Sequence, residues 1–364
     1  MTLLSSIFSS HKNEDHISEA EGVVGVDIGS SSMKVVELQD RKGVVTLTTY
    51  GEVQLGPYVG KKIGESVSLG ARQEQEALVD VIRESAVKAR NAVFSMPLSS
   101  SFVTNVSFEA DPDADLSAMV RVEARKVIPA SLSEVTLDWA EVEITKEEKK
   151  GNENKRNILI AAIQNSALER YKILMQFAGL NKPPTEIECF STIRGLYSND
   201  EENVAVIDIG ANSSKLYIVR KGLLMRMYRI RAGGAIATEK IAEVLQVSFE
   251  EAEEMKLSAD RKSSNFSELK RVYDGSYDRA FREFGQVIRE YEGRTGVEFN
   301  VIHLSGGGSL FPGTDIHLKE VLNRDVTMVN PFSKVAYPAF MQDTLREIGP
   351  SFSVALGAAM RGFE

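Results

Sequence analysis

The chain has 364 residues, of which 52 are acidic and 43 are basic, so its formal net charge is −9 at neutral pH. This balance argues against a nucleic-acid-binding protein, which needs a basic face to displace counterions from phosphates. The single cysteine, Cys189, excludes a disulfide framework and indicates a reducing compartment. No apolar run reaches the roughly 18 residues of a membrane span.

Residues 1–20 lack the basic start and the long apolar core of a signal peptide, and we expect them to form a flexible tail. The tail has a few apolar residues, which leave open a contact with a membrane or a partner. Residues 21–100 then predict a first lobe, with three strands, one helix and a further strand: Gly22–Val26, Met33–Gln39, Val44–Leu55, Gln73–Lys88 and Ala92–Met96.

The first motif lies between two of these strands, in the sequence VGVDIGSSSMKV. Asp27 ends an apolar strand, and Gly29 allows a tight turn that a Cβ would obstruct. Small residues follow, so backbone amides and hydroxyls can approach a phosphate closely; these are Ser30, Ser31 and Ser32. Lys34 either reaches the phosphates or points outward from its strand. Taken alone, the motif equally fits a hairpin with a solvated aspartate.

Residues 101–182 change to a β-α-β-β-α pattern, which predicts an inserted subdomain. The charged run Lys146–Arg156 between its last two strands predicts a solvated hairpin loop without a site. After the insertion, Thr185–Phe190 predicts a strand in which Cys189 is a small core residue, and the chain returns to the first lobe.

The first motif recurs as AVIDIGANSSKL at Ala205–Leu216, with a constant offset of 181 residues. A repeat at half the chain length indicates two similar lobes, each presenting one copy of a small site. Asp27 and Asp208 would then hold Mg²⁺, which prefers oxygen ligands and keeps several waters. Phosphate oxygens would be bound in the second copy by Gly210, Ala211, Asn212 and Ser213, as in the first copy by Gly29 to Ser32.

Two glycine runs follow in the second lobe. Gly233 and Gly234 precede a predicted helix whose first amides would complete the phosphate site, although a plain turn fits equally well. A short apolar strand runs into Gly306, Gly307 and Gly308, where missing side chains would admit a ribose and an adenine. The alternative for this triplet is a mobile loop.

The order of DIGSSSMK, DIGANSSK and SGGG resembles the two phosphate motifs and the adenosine motif of the actin-like ATPase superfamily. Further segments resemble the PilM family of that superfamily, so that the similarity covers about residues 20–364: Asp115–Pro129, Val135–Val142, Asn157–Leu180, Val329–Phe332 and Phe352–Gly362. In that family an Ala-Glu-x-x-Lys pattern lies near the ribose and base, which here implies Glu253 and Lys256. An exposed charged helix face is the alternative for these two residues.

The resemblance implies an α/β fold of the actin-like (ribonuclease H-like) type, with two lobes and a β-α-β-β-α subdomain inserted in lobe one. We expect lobe one at residues 21–100 and 183–203, and the inserted subdomain at 101–182. We expect the core of lobe two at 204–237 and 299–364, with a helical subdomain at 238–298.

The resemblance also implies an ATP- and Mg²⁺-binding cytoplasmic adaptor of the type IV pilus machinery, with weak or no ATPase activity. The implied partner is the cytoplasmic N-terminal peptide of a PilN-like single-span inner-membrane protein, which would hold the chain at that membrane. Other pilus assembly proteins and self-association are further implied contacts. For one wall of a peptide groove we expect Ala162, Ile163 and the helix that begins at Ser166.

Two other functions stay open at this point. An FtsA-like division filament protein carries a C-terminal linker and amphipathic helix, whereas this sequence stops at Glu364, directly after the predicted closing helix. A small-molecule kinase of the same superfamily needs a catalytic aspartate beside a sugar pocket. The sequence identifies no residue that would orient a nucleophile, so catalytic residues are not assigned.

Overall fold

A computed structural model describes residues 22–111, 113–143, 145–149, 151–181, 185–197 and 203–364, and the predicted tail lies outside them. The strands are β1 (Val23–Ile28), β2 (Ser32–Asp40), β3 (Val45–Gln54), β4 (Asn91–Met96), β5 (Ser101–Glu109), β6 (Val135–Glu141), β7 (Lys155–Gln164), β8 (Glu186–Ile187), β9 (Asn203–Ile209), β10 (Ser214–Arg220), β11 (Leu223–Ile230), β12 (Val301–Ser305) and β13 (Asp325–Met328). The helices are α1 (Ala71–Glu84), α2 (Leu116–Val127), α3 (Lys146–Lys149), α4 (Asn165–Phe177), α5 (Glu188–Leu196), α6 (Gly234–Leu245), α7 (Phe249–Leu257), α8 (Phe266–Thr295), α9 (Thr314–Leu322), α10 (Gln342–Ile348) and α11 (Ser353–Arg361).

Two five-stranded sheets repeat one topology. The first has the order β3-β2-β1-β4-β8 and the second the order β11-β10-β9-β12-β13. In each sheet the first three strands of the lobe form an antiparallel meander, and the two remaining strands join in parallel. Buried β-branched residues form the central strands, as expected for strands that are covered on both faces. The repeated peptide of the sequence is therefore the centre of a repeated sheet.

The third sheet belongs to the inserted segment and has the order β5-β7-β6, with antiparallel pairing throughout. Helix α2 covers one face, where Val120 and Ala124 pack on Ile158 and Ile160 of β7. Asp115 fixes the start of α2, since its carboxylate accepts hydrogen bonds from the first helical amides. The opposite face packs on α4 and lobe one.

The predicted groove wall is wrong in part because β7 is the central strand of this sheet. Ala162 and Ile163 are each about 1% exposed and are part of the core. Of the expected wall, only α4 lies at the surface between the inserted segment and lobe one, where its Arg170 meets Glu74 of α1.

Helix α11 packs on the first sheet, although its residues were assigned to lobe two. A Cβ on Gly25 of β1 would lie 2.0 Å from the carbonyl oxygen of Ala355, and a Cβ on Gly357 would lie 1.8 Å from the carbonyl oxygen of Ser191 in α5. Glycine at these positions lets α11 lie directly against β1 and α5. The other predicted domain limits stay a prediction.

Two local predictions are wrong. Cys189 lies in α5 and not in a strand, because only Glu186 and Ile187 pair with β4 before the helix begins; the thiol is nonetheless buried. The charged run at 146–156 is not only a solvated loop, since it includes α3 and Glu148 forms a buried ion pair with Arg220 of β10.

In the described part of the chain, no helix is long and apolar enough to cross a bilayer.

The close packing of α11 on β1 predicts that Gly25→Ala lowers the free energy of unfolding by about 1–3 kcal/mol, because the added methyl overlaps backbone atoms of the helix. Chemical denaturation measures the change. Gly275→Ala is the matched control, since Gly275 is exposed in the middle of α8 with no atom within 4 Å of the added Cβ, and we expect it to be neutral or stabilising. Equal effects at the two positions would contradict the packing argument.

Candidate functional site

A cavity of about 720 Å³ lies between the first and second sheets. Apart from Gly233, every residue predicted for the site lines it: Asp27, Gly29, Ser30, Ser31, Ser32, Lys34, Asp208, Gly210, Ala211, Asn212, Ser213, Gly234, Glu253, Lys256, Gly306, Gly307 and Gly308. Residues that are up to 281 positions apart in the sequence therefore meet in one cleft.

The two hairpin turns have the same geometry. The amide of Gly29 donates to the carbonyl oxygen of Ser32 at 3.0 Å, and the amide of Gly210 donates to that of Ser213 at 3.1 Å. A Cβ on Gly29 would lie 2.9 Å from the acceptor oxygen, so the tight turn requires glycine there. The small residues between donor and acceptor form the tip of each turn and face the cavity.

A carboxylate and a lysine lie opposite each other behind each turn. Asp27 pairs in register with Lys34, and Asp208 with Lys215. Opposed residues on antiparallel strands share one face of the sheet, so Lys34 faces the cleft and the outward alternative is excluded. Its ammonium group lies 2.6 Å from the hydroxyl of Ser32 and 3.0 Å from a carboxylate oxygen of Glu52.

Negative charge is concentrated at the floor of the cleft. Burial raises the pKa of Asp27 to about 6, against the opposing effect of Lys34, while Glu188 adds to the rise. Burial likewise raises the pKa of Asp208, although Lys215 acts against it. Burial disfavours the charge of Lys215 as well, yet its acidic neighbours raise its pKa well above the usual value. A divalent cation at this floor would favour the ionised carboxylates.

The donor set fits a hydrated Mg²⁺ ion. Asp27 and Asp208 supply one carboxylate from each lobe, and the described residues contain no cluster of three or more acidic, histidine or cysteine side chains that could hold a metal ion. Mg²⁺ usually keeps several waters and takes one or two carboxylates together with phosphate oxygens. The two aspartates could hold such an ion, directly or through water.

The prediction that the first amides of α6 are available to a phosphate is wrong for Gly234 and Ala235. The amides of Gly234 and Ala235, at the start of α6, donate at 2.9 Å to the carbonyl oxygens of Gly210 and Ala211. They are thus not free for a phosphate. A Cβ on Gly233 would lie 2.4 Å from the carbonyl oxygen of Ala211, so this glycine allows the helix to pack against the second turn.

Glu253 and Lys256 form a buried cluster and not an exposed helix face. A carboxylate oxygen of Glu253 lies 2.6 Å from the ammonium group of Lys256 and 2.5 Å from the hydroxyl of Thr238. Burial lowers the pKa of Lys256, although Glu253 acts against it. Gly64 of lobe one lies directly against the Glu253 carboxylate, so the lobes touch at the mouth of the cleft.

The glycine triplet lies where β12 ends. Gly306 has a φ of +87°, and a Cβ on it would lie 2.4 Å from the carbonyl oxygen of Ile209. A Cβ on Gly308 would lie 2.3 Å from the side chain of Ile209. A Cβ on Gly307 would have a single neighbour within 4 Å, the Cβ of Ser351 at 3.7 Å. Packing on β9 therefore requires two of the glycines, and Gly307 is the one that leaves space on the cleft side.

Three further side chains that line the cleft were not assigned from the sequence. Lys215 lies 3.0 Å from Glu188 and 3.4 Å from Asp208, and its match to Lys34 in the repeat was an available signal. Glu188 lines the cleft at the start of α5 and had no signal, because its segment was predicted as a strand. Arg229 lies opposite Lys215 in register and donates to the hydroxyl of Ser213 at 3.0 Å.

Comparisons with known proteins agree with this architecture. The family model of the type IV pilus assembly protein PilM matches residues 25–363. Among solved structures, a PilM–PilN type IV pilus biogenesis complex is similar with a TM-score of 0.77 and 24% identity, over 95% of this chain and 99% of that chain. The ethanolamine utilization protein EutJ of Carboxydothermus hydrogenoformans has a TM-score of 0.57 and 15% identity, over 93% and 90% of the two chains. MreB5 of Spiroplasma citri bound to ADP has a TM-score of 0.54 and 11% identity, over 94% and 96%. The predicted actin-like fold class is confirmed.

The buried cluster predicts that Lys256→Met lowers the free energy of unfolding by about 3 kcal/mol, because it leaves the Glu253 carboxylate buried without its cation. Denaturant titration gives the value. In Lys62→Met, the matched control, an exposed ion pair with Glu250 is lost, and we expect no measurable change in the free energy of unfolding. A small effect at Lys256 would mean that the cluster is open to water.

Proposed function

The chain belongs to the family of the type IV pilus assembly protein PilM, and from this premise we propose that it is a nucleotide-dependent adaptor of the pilus assembly machinery. The family that the sequence resembles is confirmed, and the protein is an actin-like protein of type IV pilus assembly. ATP binding with Mg²⁺, and capture of a membrane partner, are the finer parts of the proposal.

One observation carries the nucleotide site: two Asp–Lys hairpins in the same register lie on opposite walls of one cavity. Phosphates would lie between the two turns, and Mg²⁺ between Asp27 and Asp208. The adenosine would lie against Gly307, beside Glu253 and Lys256. The solved structure of the similar MreB5 is bound to ADP, which supports a nucleotide as the ligand here.

A ligand in this position touches both lobes. It binds more tightly to the arrangement in which both turns reach the phosphates, and it therefore shifts the population toward that arrangement. Conformational control, and not turnover, is the proposed use of the nucleotide.

Slow hydrolysis or none is proposed from the environment of Glu188. Phosphoryl transfer to water needs a residue that orients the attacking water. Among the carboxylates that line the cleft, Glu188 is one that lies beside the proposed metal site, since Lys215 contacts both Glu188 and Asp208. One of its oxygens is engaged by Lys215 at 3.0 Å. A carboxylate held in an ion pair is less available to a water than a free one.

The proposed partner is the cytoplasmic N-terminal peptide of a PilN-like single-span inner-membrane protein. The similar solved complex contains PilM and PilN, which supports a partner of this kind. The peptide would lie between the inserted subdomain and lobe one, near α4, and would hold the chain at the cytoplasmic face of the inner membrane. Contacts with other pilus assembly proteins and self-association are part of the same proposal.

The nucleotide site predicts that Asp208→Asn weakens Mg²⁺-dependent ATP binding by about 10- to 100-fold, the usual range when a group that orients a metal's shell is lost. Isothermal titration calorimetry with and without Mg²⁺ measures the affinity. In the control, Asp325→Asn, an exposed aspartate outside the cleft is changed, and the affinity is expected to stay the same. Unchanged affinity in Asp208→Asn would refute the site.

The partner proposal predicts that a pull-down from native membranes with Mg-ATP recovers a single-span protein with a short cytoplasmic N-terminus, identified by mass spectrometry. Recovery of a tubulin-like division protein would instead favour an FtsA-like function. If no partner is recovered and a metabolite is phosphorylated rapidly, the protein is a small-molecule kinase and the adaptor proposal is wrong.

A further inference from the structure

We propose that the inserted subdomain is tied to lobe two by a strap, so that nucleotide-driven movement between the lobes changes how this subdomain sits on lobe one. The strap consists of the ion pair between Glu148 and Arg220 and of the hydrogen bonds that Asn105 donates to β11. This inference rests on the proposed nucleotide binding and names the means by which it would regulate the partner site.

The chain enters and leaves the inserted subdomain from lobe one. It departs after β4 and returns at β8, which pairs with β4 in the first sheet. Two contacts hold the subdomain to lobe one from the side of α4. Arg170 donates to both oxygens of Glu74 at 2.8 and 2.6 Å, and the ring of Tyr171 packs edge-on against Phe94 at 5.9 Å.

The subdomain also contacts lobe two through the connection between β6 and β7. Arg220, at the end of β10, lies 3.0 Å from a carboxylate oxygen of Glu148, and both side chains are about 10% exposed or less. Its guanidinium also donates to the carbonyl oxygen of Glu143. The carboxylate is fixed in turn by the amide of Thr145 at 2.8 Å. A segment that the sequence predicted as solvated thus supplies the carboxylate of an oriented ion pair that is largely shielded from water.

A second contact with lobe two comes from β5. The side-chain amide of Asn105 donates to the carbonyl oxygens of Leu224 and Met225 at 3.1 and 2.7 Å. Asn105 lies in the middle of β5, four residues after Ser101, where the strand begins. The inserted subdomain is therefore held by lobe two through β5 as well as through the connection between β6 and β7.

The two junctions differ in how readily they can move. Separating Glu148 from Arg220 would leave two buried charges unpaired, which is strongly unfavourable. At the lobe-one junction, the Glu74 side chain is 3% exposed but that of its partner Arg170 is 51% exposed, so only one charge of this pair is buried and water can solvate the guanidinium during a rearrangement. A rotation of lobe two should thus carry the subdomain with it and be taken up against lobe one. That is the surface on which the partner peptide is proposed to lie, and coupling between the two sites would be reciprocal.

The test measures the distance between the subdomain and lobe one with spin labels on Val122→Cys of α2 and Arg72→Cys of α1, both of which are exposed. The native Cys189 is buried and does not compete for label. Pulsed electron–electron double resonance measures the distance between the two labels in the free protein and in the protein saturated with Mg-AMPPNP. We expect the distance distribution to shift beyond its width in the free protein.

The strap variant combines Glu148→Met and Arg220→Met, so that no buried charge is left unpaired. We expect it to bind Mg-AMPPNP as the parent does, since neither residue lines the cleft, but to lose the distance shift. Lys221→Met is the matched control, because it removes the neighbouring exposed pair with Glu143 and should keep the shift. Asn105→Ala is the second variant, and we expect it to show a reduced distance shift. It replaces the double variant in the test if thermal unfolding shows that the double variant is not folded.

The outcomes separate the two proposals. If Mg-AMPPNP does not bind to the parent protein, the proposed nucleotide function fails and the strap fails with it. If the nucleotide binds but the parent shows no shift, the nucleotide site stands and the strap is overturned. A full shift in the strap variant, or in Asn105→Ala if the former does not fold, overturns it as well.

Discussion

The structure depends on how charge is balanced at the floor of the cleft. Lys215 lies between Glu188 and Asp208, and it compensates two carboxylates that burial would otherwise disfavour. Glu188 lies in α5, Asp208 in β9 and Lys215 in β10. The ion pair between Glu188 and Lys215 therefore also joins α5 of lobe one to the sheet of lobe two. A ligand that brings both negative phosphates and a cation changes this balance without breaking the fold.

The two copies of the hairpin are similar in geometry but not in charge. Opposite Lys34 in register lies Glu52, whereas opposite Lys215 lies Arg229. The first wall therefore adds an acid behind its lysine, while the second adds a base that contacts Ser213 in the turn. A phosphate chain would be attracted more strongly to the second wall. The two walls of the cleft therefore differ in charge, although the repeated sequence makes them similar in backbone geometry.

Local patterns made most of the site predictable. The aspartates, the small residues of both turns and the glycine triplet follow from short motifs in which an apolar strand ends at a glycine, and the recurrence of one motif links the two lobes. Glu188 was out of reach because a strand of two residues gives no periodic signal before its helix. The amides of α6 were misassigned because a glycine pair before a helix fits anion binding and close packing equally, and only the position of Ala211 decides between them. The packing of α11 on β1 joins residues more than 300 positions apart, a contact that no local pattern specifies.

That last contact has a consequence for the order in which the protein is made. The core of the first sheet includes Phe352, Leu356 and Ala359 beside Val36 and Leu38, so lobe one can be completed only after residue 359 has left the ribosome. Such non-local pairing is slow to form, because a long loop must close before any contact is gained. The first sheet, although synthesised first, should therefore wait with an uncovered apolar face while the inserted subdomain and the second sheet fold. During synthesis this face is the part of the molecule most in need of a chaperone.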